Sequence, residues 1–231
     1  MTRPHDTVRL WLVPDRPEPT AADLFAVLDP AERLRAEAYR SAEDRRRFVV
    51  AHAAVRHILA RQLGVPPAEL RWQRGPHGKP ELTGHHTGTE VNLSHSGDLA
   101  MVAVSITRPV GVDVQRVLPR LDAVAMAERY FGPEEAEFVR AAPDPVSRAD
   151  CFARLWARKE ALVKAHGGRL TQGLRIPLHE SDTGVGGSWS RDYRVSDVPA
   201  PPGYRAAVAL SGTEPFRVTL RPWRRPAPTT T

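Results

Sequence analysis

Apolar residues recur every three to four positions in two long stretches of this chain, and this spacing predicts two amphipathic helices. The first stretch follows Ser41 and ends before Gly64. The second contains DCFARLWARKEALVKAHGG, follows Ser147 and ends at Gly167 and Gly168. Serine is favoured at helix N-caps and glycine just beyond the last turn, so we place the ends of both helices at these residues.

Lys159 lies inside the apolar stripe of the second helix, where a charged group rarely occurs without a partner. The rest of the stripe consists of Phe152, Leu155, Trp156, Leu162 and Val163. Burying a lone ammonium is costly, so we expect Lys159 either to reach solvent or to meet an anion. Glu160 and Lys164 are one turn apart, which fits an ordinary surface ion pair or one site served by two opposite charges.

Alternation of apolar and polar residues predicts strands near the start and in the middle of the chain. Val8 to Val13 form the first predicted strand, and VNLSHSGDLAMVAVSI predicts a hairpin that turns at Ser96–Gly97–Asp98. The next strand runs from Gly111 to Gln115. Its period of two places Val112 and Val114 on one face and Asp113 and Gln115 on the other.

Shorter signals complete the pattern of elements. Two segments resemble helix starts with proline at the first position and glutamate at the third, namely Asp29 to Glu32 and Gly132 to Glu135. Four further strands are predicted over residues 174–178, 189–195, 204–210 and 216–220, with a glycine-rich connection at 184–188.

A weak internal repeat indicates how these elements are organised. In each half of the chain a long helix precedes a polar turn and an Ala/Val-rich strand, GDLAMVAVS in one half and PGYRAAVALSG in the other. We therefore predict an α+β fold of two similar, pseudo-twofold-related halves, each with a small antiparallel or mixed sheet packed on a long helix. The predicted N-terminal half covers residues 1–108, the C-terminal half residues 109–222, and residues 223–231 form a disordered tail. Asp113 then lies close to a cleft between the halves, where ligand sites often form.

Composition narrows the class of protein. The 231 residues include one cysteine, Cys151, which excludes an intramolecular disulfide and a cysteine-cluster metal site. Neither a signal peptide nor a membrane-spanning apolar run is evident, so we expect a soluble cytoplasmic protein. The net charge of +6 favours an anionic partner, which on charge alone could be nucleic acid, a phosphorylated small molecule or an acidic protein.

Three oxygen donors on separate predicted elements are candidates for a metal site. Asp113 and Gln115 share one face of a strand, Glu160 lies on the second helix, and there is no His/Cys cluster that would indicate zinc. Such a set suits Mg²⁺, which keeps several waters and usually also binds phosphate oxygens. The cations available to neutralise those phosphates are Arg47, Lys79, His95 and Lys164.

Four segments, in this order and spacing, resemble the 4′-phosphopantetheinyl transferase superfamily, and specifically its Sfp-type monomers built of two similar halves. The segments are GKPEL, VNLSHSGDLAMVAVS, GVDVQ and LWARKEALVKAHGGRL. The resemblance implies an enzyme that moves the phosphopantetheine arm of coenzyme A onto a serine of an apo acyl or peptidyl carrier protein. It also implies Mg²⁺ as the cofactor and 3′,5′-ADP as the released product.

The resemblance assigns roles to the acidic residues. Asp113 and Glu160 would bind Mg²⁺ on the coenzyme A diphosphate, and either Glu135 or Glu160 would act as general base. Gln115 departs from the family pattern, in which many members have a second acid. Because a neutral amide is a poorer Mg²⁺ donor, Gln115 would bind weakly or hold a water.

The resemblance also assigns roles to the cations and one serine. Lys164 would contact the diphosphate of coenzyme A. Arg47, together with Ser94 and His95, would hold the 3′-phosphate, and Lys79 would lie beside the nucleotide.

An alternative interpretation is a basic nucleic-acid-binding protein without catalysis. It is motivated by the sequence pI of about 10.1 and by the Arg45 to Arg47 cluster. Aromatic residues are only 6% of the chain and no zinc-finger or RNP-like motif is present, so the stacking platform typical of single-strand binders is not evident. We therefore favour the transferase and expect a monomer with no nucleic-acid or membrane partner, while the sequence leaves the carrier protein unidentified.

Overall fold

Two long helices and two four-stranded sheets form the core of the fold, which we describe from a computed structural model of residues 6–15, 21–75, 78–179, 183–185 and 192–226. The elements of the first half are β1 (Asp6–Pro14), α1 (Ala21–Ala26), α2 (Pro30–Glu37), α3 (Ala42–Leu63), β2 (Trp72–Arg74), β3 (Pro80–Leu82), β4 (Glu90–Ser96) and β5 (Leu99–Ser105). Those that follow are β6 (Val110–Arg116), α4 (Ala123–Tyr130), α5 (Pro133–Arg140), α6 (Pro145–His166), α7 (Leu170–Gly173), β7 (Thr183–Val185), β8 (Tyr193–Val198), β9 (Tyr204–Ser211) and β10 (Phe216–Pro222). The mixed content confirms the α+β class.

The elements stack in four layers, with α3 and α6 on the outside and the two sheets face to face between them. The first sheet has the strand order β10-β1-β5-β4 and the second β6-β9-β8-β7. Alternate residues of β5 divide between the layers: Val102 and Val104 pack toward α3, whereas Met101 packs against Val112 and Val208 of the other sheet. The period of two therefore places both faces of each central strand in a hydrophobic core.

The two halves repeat the same helical frame. Equivalent caps are separated by the same interval along the chain, in the pairs Asp29 and Gly132, Ser41 and Asp144, and Gly64 and Gly167. Both long helices contain 22 residues and end at a glycine in the left-handed region, with φ of 71° and 77°. The prediction of two similar halves is confirmed.

The last strand of the chain complicates a division at residue 108. β10 pairs in parallel with β1, so it lies in the sheet of the first half although the prediction assigned it to the C-terminal half. Trp223, predicted to begin the tail, donates its backbone N–H to the Leu12 carbonyl at 2.7 Å and packs against the first core. Residues 227–231 of the predicted tail lie outside the described residues.

One predicted helix start and one predicted strand are wrong. Helix α6 begins at Pro145, and its N-cap is Asp144, which accepts the backbone N–H groups of Val146 and Ser147 at 2.9 and 3.0 Å, so Ser147 is not the cap. No strand forms over residues 174–178. The backbone of this segment bonds instead to side chains of other elements, which replaces the ladder of a sheet.

Those side-chain contacts to residues 174–178 come from distant positions. The carboxylate of Glu135 accepts the Leu178 N–H, the Arg158 guanidinium donates to the Leu178 carbonyl, and the Lys159 ammonium donates to the Ile176 carbonyl. Residues 186–191, which cover part of the predicted glycine-rich connection and of the predicted 189–195 strand, lie outside the described residues.

Each half buries a charge of its long helix against the start of a short helix. In the first half Arg56 is fully buried and lies 2.6 Å from both Asp29 and Glu32. At the equivalent position of the second half, Lys159 is also fully buried and lies 2.6 Å from Glu135. Burial lowers the pKa of the Lys159 ammonium, and the charge of Glu135 opposes that shift. The expectation that Lys159 meets an anion is therefore confirmed.

Side chains on every second residue of β4 join the two sheets by accepting backbone N–H groups of β6. The pairs are Asn92 with Val112 at 2.9 Å, Ser94 with Val114 at 3.3 Å, and Ser96 with Arg116 at 3.0 Å. These bonds satisfy N–H groups at the edge of β6 that no neighbouring backbone accepts. They also fix β6 in a parallel register beside β4, with Asp113 next to Ser94.

Gly111 lets β6 lie directly on the backbone of α6. A Cβ at this position would come within 2.0 Å of the Ala161 carbonyl oxygen and 2.4 Å of the Ala165 nitrogen. Only glycine permits this approach, which brings Asp113, two residues further along the same face, to the last turns of α6. None of the described helices has the length and apolar character needed to cross a lipid bilayer.

We predict that the Glu135–Lys159 pair is strongly coupled in stability. Lys159→Met leaves a buried carboxylate without its counter-ion, and Glu135→Gln leaves a buried ammonium, so each should lower the free energy of unfolding by about 3 kcal/mol or more. The double variant contains neither charge and should lose clearly less than the sum, as measured by urea denaturation. Arg140→Gln, which breaks the exposed ion pairs with Glu128 and Glu137, is the control and should cost less than about 1 kcal/mol. Additive losses would contradict the prediction.

We also predict that Gly111→Ala is destabilising by about 1–3 kcal/mol because the added methyl must push β6 away from α6. The matched control is Gly132→Ala, since Gly132 has φ of −71° and a methyl at this position would meet nothing closer than 3.8 Å. Because Gly132 is the N-cap of α5, where alanine is less favourable than glycine, that variant should lose less than about 1 kcal/mol. Equal denaturation midpoints for the two variants would show that the close approach is unimportant.

Candidate active site

A polar cluster lies where β4, β6 and the C-terminal turns of α6 meet. It consists of Asp113, Ser94, Lys164 and Glu160. The Lys164 ammonium lies 2.6 Å from Asp113 Oδ1, 3.1 Å from Ser94 Oγ and 3.9 Å from Glu160 Oε2. The Ser94 hydroxyl donates to the same Asp113 oxygen at 2.6 Å. Residues predicted as metal ligand, base and diphosphate contact are therefore brought together from positions far apart in the sequence.

Both carboxylates of the cluster are held in an environment that disfavours their charged form. Asp113 is only 4% exposed, and burial raises the pKa of its carboxyl group even though Lys164 and Ser94 favour the ionised form. Burial also raises the pKa of Glu160, and the nearby charge of Asp113 adds to that shift while Lys164 opposes it. Two acids thus share one ammonium, and an additional cation would stabilise their ionised forms.

One oxygen of Asp113 is available for such a cation. Oδ1 accepts hydrogen bonds from the Ser94 hydroxyl and the Lys164 ammonium, whereas Oδ2 is buried and has no hydrogen-bond partner. A buried carboxylate oxygen without a donor is unfavourable unless a cation or ligand satisfies it. The donor set therefore fits a hard divalent cation bound between Asp113 and Glu160.

The described residues contain no group of three or more His, Cys, Asp or Glu side chains arranged to hold a metal ion. A metal at this cluster would therefore have two carboxylate ligands from the described part of the chain. Gln115 lies on the same face of β6 as Asp113, and its side-chain amide donates to the Arg116 carbonyl at 3.4 Å. Its role as a third, neutral donor stays a prediction.

Arg47 and His95 line a second polar site, a pocket between α3 and the β4–β5 turn. Asp15 and Asp98 line the same pocket, and the Arg47 guanidinium lies 2.5 Å from Asp98 Oδ1. Partial burial lowers the pKa of His95, and the charge of Lys164 contributes to that shift. The pocket therefore offers a permanently charged guanidinium beside an imidazole that is neutral near pH 7.

The structure separates the side chains of Ser94 and His95, which the prediction groups together at the 3′-phosphate. Neighbouring residues of a strand point to opposite faces, and the side chain of Ser94 is buried against Asp113 rather than directed into the pocket of Arg47 and His95. Ser94 therefore belongs with the carboxylate cluster, and His95 with the pocket of Arg47.

Lys79 lies apart from both sites, at the beginning of β6. Its ammonium is 2.9 Å from Glu90 Oε2 and 3.3 Å from the Val110 carbonyl oxygen. The side chain also runs past the C-cap of α6, where its Cδ would lie 3.9 Å from a methyl at Gly167. Its predicted contact with a nucleotide stays a prediction.

Glu135 is not placed to act as a general base. It is 1% exposed, and its two oxygens are engaged by the Leu178 N–H at 2.7 Å and the Lys159 ammonium at 2.6 Å. A substrate hydroxyl cannot reach a carboxylate enclosed in this way. We correct the assignment: Glu135 is a buried partner of Lys159, and Trp156 packs in the neighbouring aromatic cluster with Phe131 and Phe152.

Three residues that hold the cluster together were not predicted from the sequence. Asn92 and Ser96 join β4 to β6, and Gly111 brings β6 onto α6. The alternating polar positions of NLSHS were a usable signal, because polar side chains at every second residue of a strand indicate one polar face. Which strand that face would meet could not be deduced from the local pattern.

Comparisons with known proteins agree with the family resemblance of the sequence. The sequence profile of the 4′-phosphopantetheinyl transferase superfamily matches residues 109–208, and that of the 4′-phosphopantetheinyl transferase N-terminal region matches residues 16–107. The chain is 39% identical over 215 residues to the 4′-phosphopantetheinyl transferase HetI of Nostoc sp., covering 90% of this chain and 89% of that protein. It is 26% identical over 199 residues to the 4′-phosphopantetheinyl transferase Sfp of Bacillus subtilis, covering 81% and 84%.

A similarity over a shorter stretch extends to an animal enzyme. The chain is 29% identical over 149 residues to the human L-aminoadipate-semialdehyde dehydrogenase-phosphopantetheinyl transferase, covering 61% of this chain and 48% of that protein. The match to HetI spans about nine-tenths of both chains. It includes β6 and α6, which carry the cluster. On this evidence the chain belongs to the 4′-phosphopantetheinyl transferase superfamily and is a 4′-phosphopantetheinyl transferase.

Proposed function

We propose that this enzyme transfers the 4′-phosphopantetheine arm of coenzyme A to a serine of an apo acyl or peptidyl carrier protein, requires Mg²⁺ and releases 3′,5′-ADP. The observation that carries the proposal is the cluster of Asp113, Glu160 and Lys164, with one Asp113 oxygen buried and unpartnered. Two acids and a lysine are a suitable set for holding a metal ion against a diphosphate.

Asp113 and Glu160 are the residues that would hold Mg²⁺, with Gln115 as a further donor either directly or through a water. Two carboxylates suffice because Mg²⁺ retains several waters and takes its remaining ligands from phosphate oxygens. When bound, Mg²⁺ supplies positive charge that neutralises the diphosphate of coenzyme A.

The transfer itself is a displacement at phosphorus. The serine oxygen of the carrier protein bonds to the phosphorus that bears the pantetheine arm, the bond from this phosphorus to the bridging oxygen breaks, and that oxygen leaves with 3′,5′-ADP. The serine proton passes to a carboxylate within hydrogen-bond reach. Of the two glutamates that the resemblance implies for this role, only Glu160 lies in the cluster, so we assign the base to Glu160.

Three cations and one imidazole would hold the other parts of coenzyme A. Lys164 contacts the diphosphate, Arg47 and His95 receive the 3′-phosphate in their shared pocket, and Lys79 lies by the nucleotide. Arg47 is surrounded by carboxylates of Glu43, Asp44, Asp15 and Asp98, so a phosphate must displace at least the exposed Asp98 from it. This exchange of one anion for another requires no new buried charge.

The net charge of +6 is compatible with an acidic carrier protein and with nucleic acid alike, so the preference for the transferase rests on the cluster of Asp113, Glu160 and Lys164. Of the three arginines that motivated the nucleic-acid alternative, Arg46 already pairs with a carboxylate of the protein, that of Asp15 at 2.7 Å. We extend the proposal to a cytoplasmic monomer that acts without nucleic acid or membrane, with two halves that divide at residue 108 and with β10 returning to the sheet of the first half.

The direct test is Mg²⁺-dependent labelling of apo carrier proteins by coenzyme A, read as a mass gain on the carrier. We expect the gain with the unsubstituted enzyme and its loss on chelation of the metal. Glu160→Gln removes a metal ligand and the assigned base, so the rate of labelling should fall at least about 100-fold with the fold intact. Glu128→Gln, an exposed glutamate paired with Arg140, is the matched control and should label normally.

Two outcomes would contradict this proposal. If a panel of fatty acid, polyketide and nonribosomal peptide carriers gains no mass, and coenzyme A gives no heat of binding in calorimetry, the proposed reaction is wrong. If labelling occurs but Glu160→Gln retains most of the rate, Glu160 is neither metal ligand nor base.

Gln115→Glu should leave Mg²⁺ binding unchanged or tighten it in the presence of coenzyme A. A carboxylate is a stronger donor than an amide for this ion, and the new group would lie on the same face of β6 as Asp113. Gln62→Glu adds the same charge on α3 and is the matched control. A large loss of Mg²⁺ affinity in Gln115→Glu alone would mean that the amide itself is required.

A further inference from the structure

We propose that Ser94 is a positioning residue for the metal site: its hydroxyl fixes one oxygen of Asp113 so that the other oxygen is presented to the divalent cation. This inference rests on the proposed function, because it takes Asp113 as a metal ligand. It gives Ser94 a role different from the 3′-phosphate contact that the family resemblance implies.

The hydrogen bonds of Ser94 determine where its proton points. The hydroxyl oxygen accepts the Val114 N–H at 3.3 Å and lies 3.1 Å from the Lys164 ammonium. Both of these groups can only donate, and a hydroxyl has two acceptor positions and one proton. The single proton of Ser94 is therefore directed to the remaining partner, Asp113 Oδ1, at 2.6 Å.

This fixed hydroxyl makes the two oxygens of Asp113 unequal. Oδ1 receives donors from Ser94 and Lys164, and Oδ2 receives none although it is buried. With Ser94 only 4% exposed, water does not readily substitute for its hydroxyl. Partners that orient a metal ligand in this way typically contribute a factor of about 10–100 to metal affinity.

The same strand provides a matched control in Ser96. Ser96 lies two residues after Ser94, on the same face of β4, and its oxygen accepts the Arg116 N–H at 3.0 Å. Both serines therefore join β4 to β6 through one backbone N–H each. Only Ser94 also bonds to the carboxylate of Asp113. Removing each hydroxyl separates the joining role from the positioning role.

The experiment measures Mg²⁺ binding by calorimetry to full-length enzyme saturated with coenzyme A, without a carrier protein. We expect Ser94→Ala to weaken Mg²⁺ binding about 10–100-fold and Ser96→Ala to change it by less than about threefold. Ser94→Cys keeps a side chain of similar size but is a weak donor, so it should also weaken binding, and it serves if Ser94→Ala does not fold. Urea denaturation of each variant checks that the fold is retained.

Similar Mg²⁺ affinities for the Ser94 and Ser96 variants would overturn the inference, because Ser94 would then only join the strands. In that case the unsubstituted enzyme still binds Mg²⁺ and coenzyme A, and the proposed function stands. If the unsubstituted enzyme shows no Mg²⁺ binding in the presence of coenzyme A, the metal site fails and this inference fails with it.

Discussion

The side-chain bonds between β4 and β6 are the constraint on which the site depends. β6 is an edge strand, and its N–H groups on one side find acceptors in Asn92, Ser94 and Ser96 rather than in a neighbouring backbone. Since these acceptors occur at every second residue, β4 presents one polar face to β6, while His95 between them faces the pocket of Arg47. One strand thereby sets the position of the carboxylate cluster and contributes to a second, separate pocket.

Among the described residues the cluster forms in the second half, because the two halves share one frame but differ at the positions that carry the cluster. The interval that relates Gly64 to Gly167 also relates His57 to Glu160 and Arg61 to Lys164. The first long helix therefore carries two basic side chains where the second carries an acid and a lysine. The glycine that lets β6 approach α6 also lies in the second half. A common scaffold thus carries the acidic cluster on one side because of differences at a few positions.

Elements whose signals lie within a few adjacent residues could be predicted from the sequence. The capping box at Asp29, the helix end at Gly64 and the β4–β5 hairpin depend on local chemistry and were placed correctly. The strand predicted at 174–178 was wrong because its backbone is satisfied by Glu135, Arg158 and Lys159, which no local pattern connects to it. The assignment of Glu135 as a base failed for the same reason. Its burial is a consequence of tertiary packing.

The balance of charge distinguishes the site from the structural ion pairs of the same helix. Lys159 and Glu160 are adjacent, yet Lys159 is fully buried and neutralised by Glu135 alone. Glu160 instead shares the single ammonium of Lys164 with Asp113, so the ionised cluster carries one negative charge in excess. The buried Lys159–Glu135 pair is not suited to binding a ligand, because each of its charges is already neutralised by the other. An excess of negative charge around the buried Asp113, with one of its oxygens unpartnered, is stabilised by protonation or by a further cation, and this makes the second arrangement suited to a metal ion.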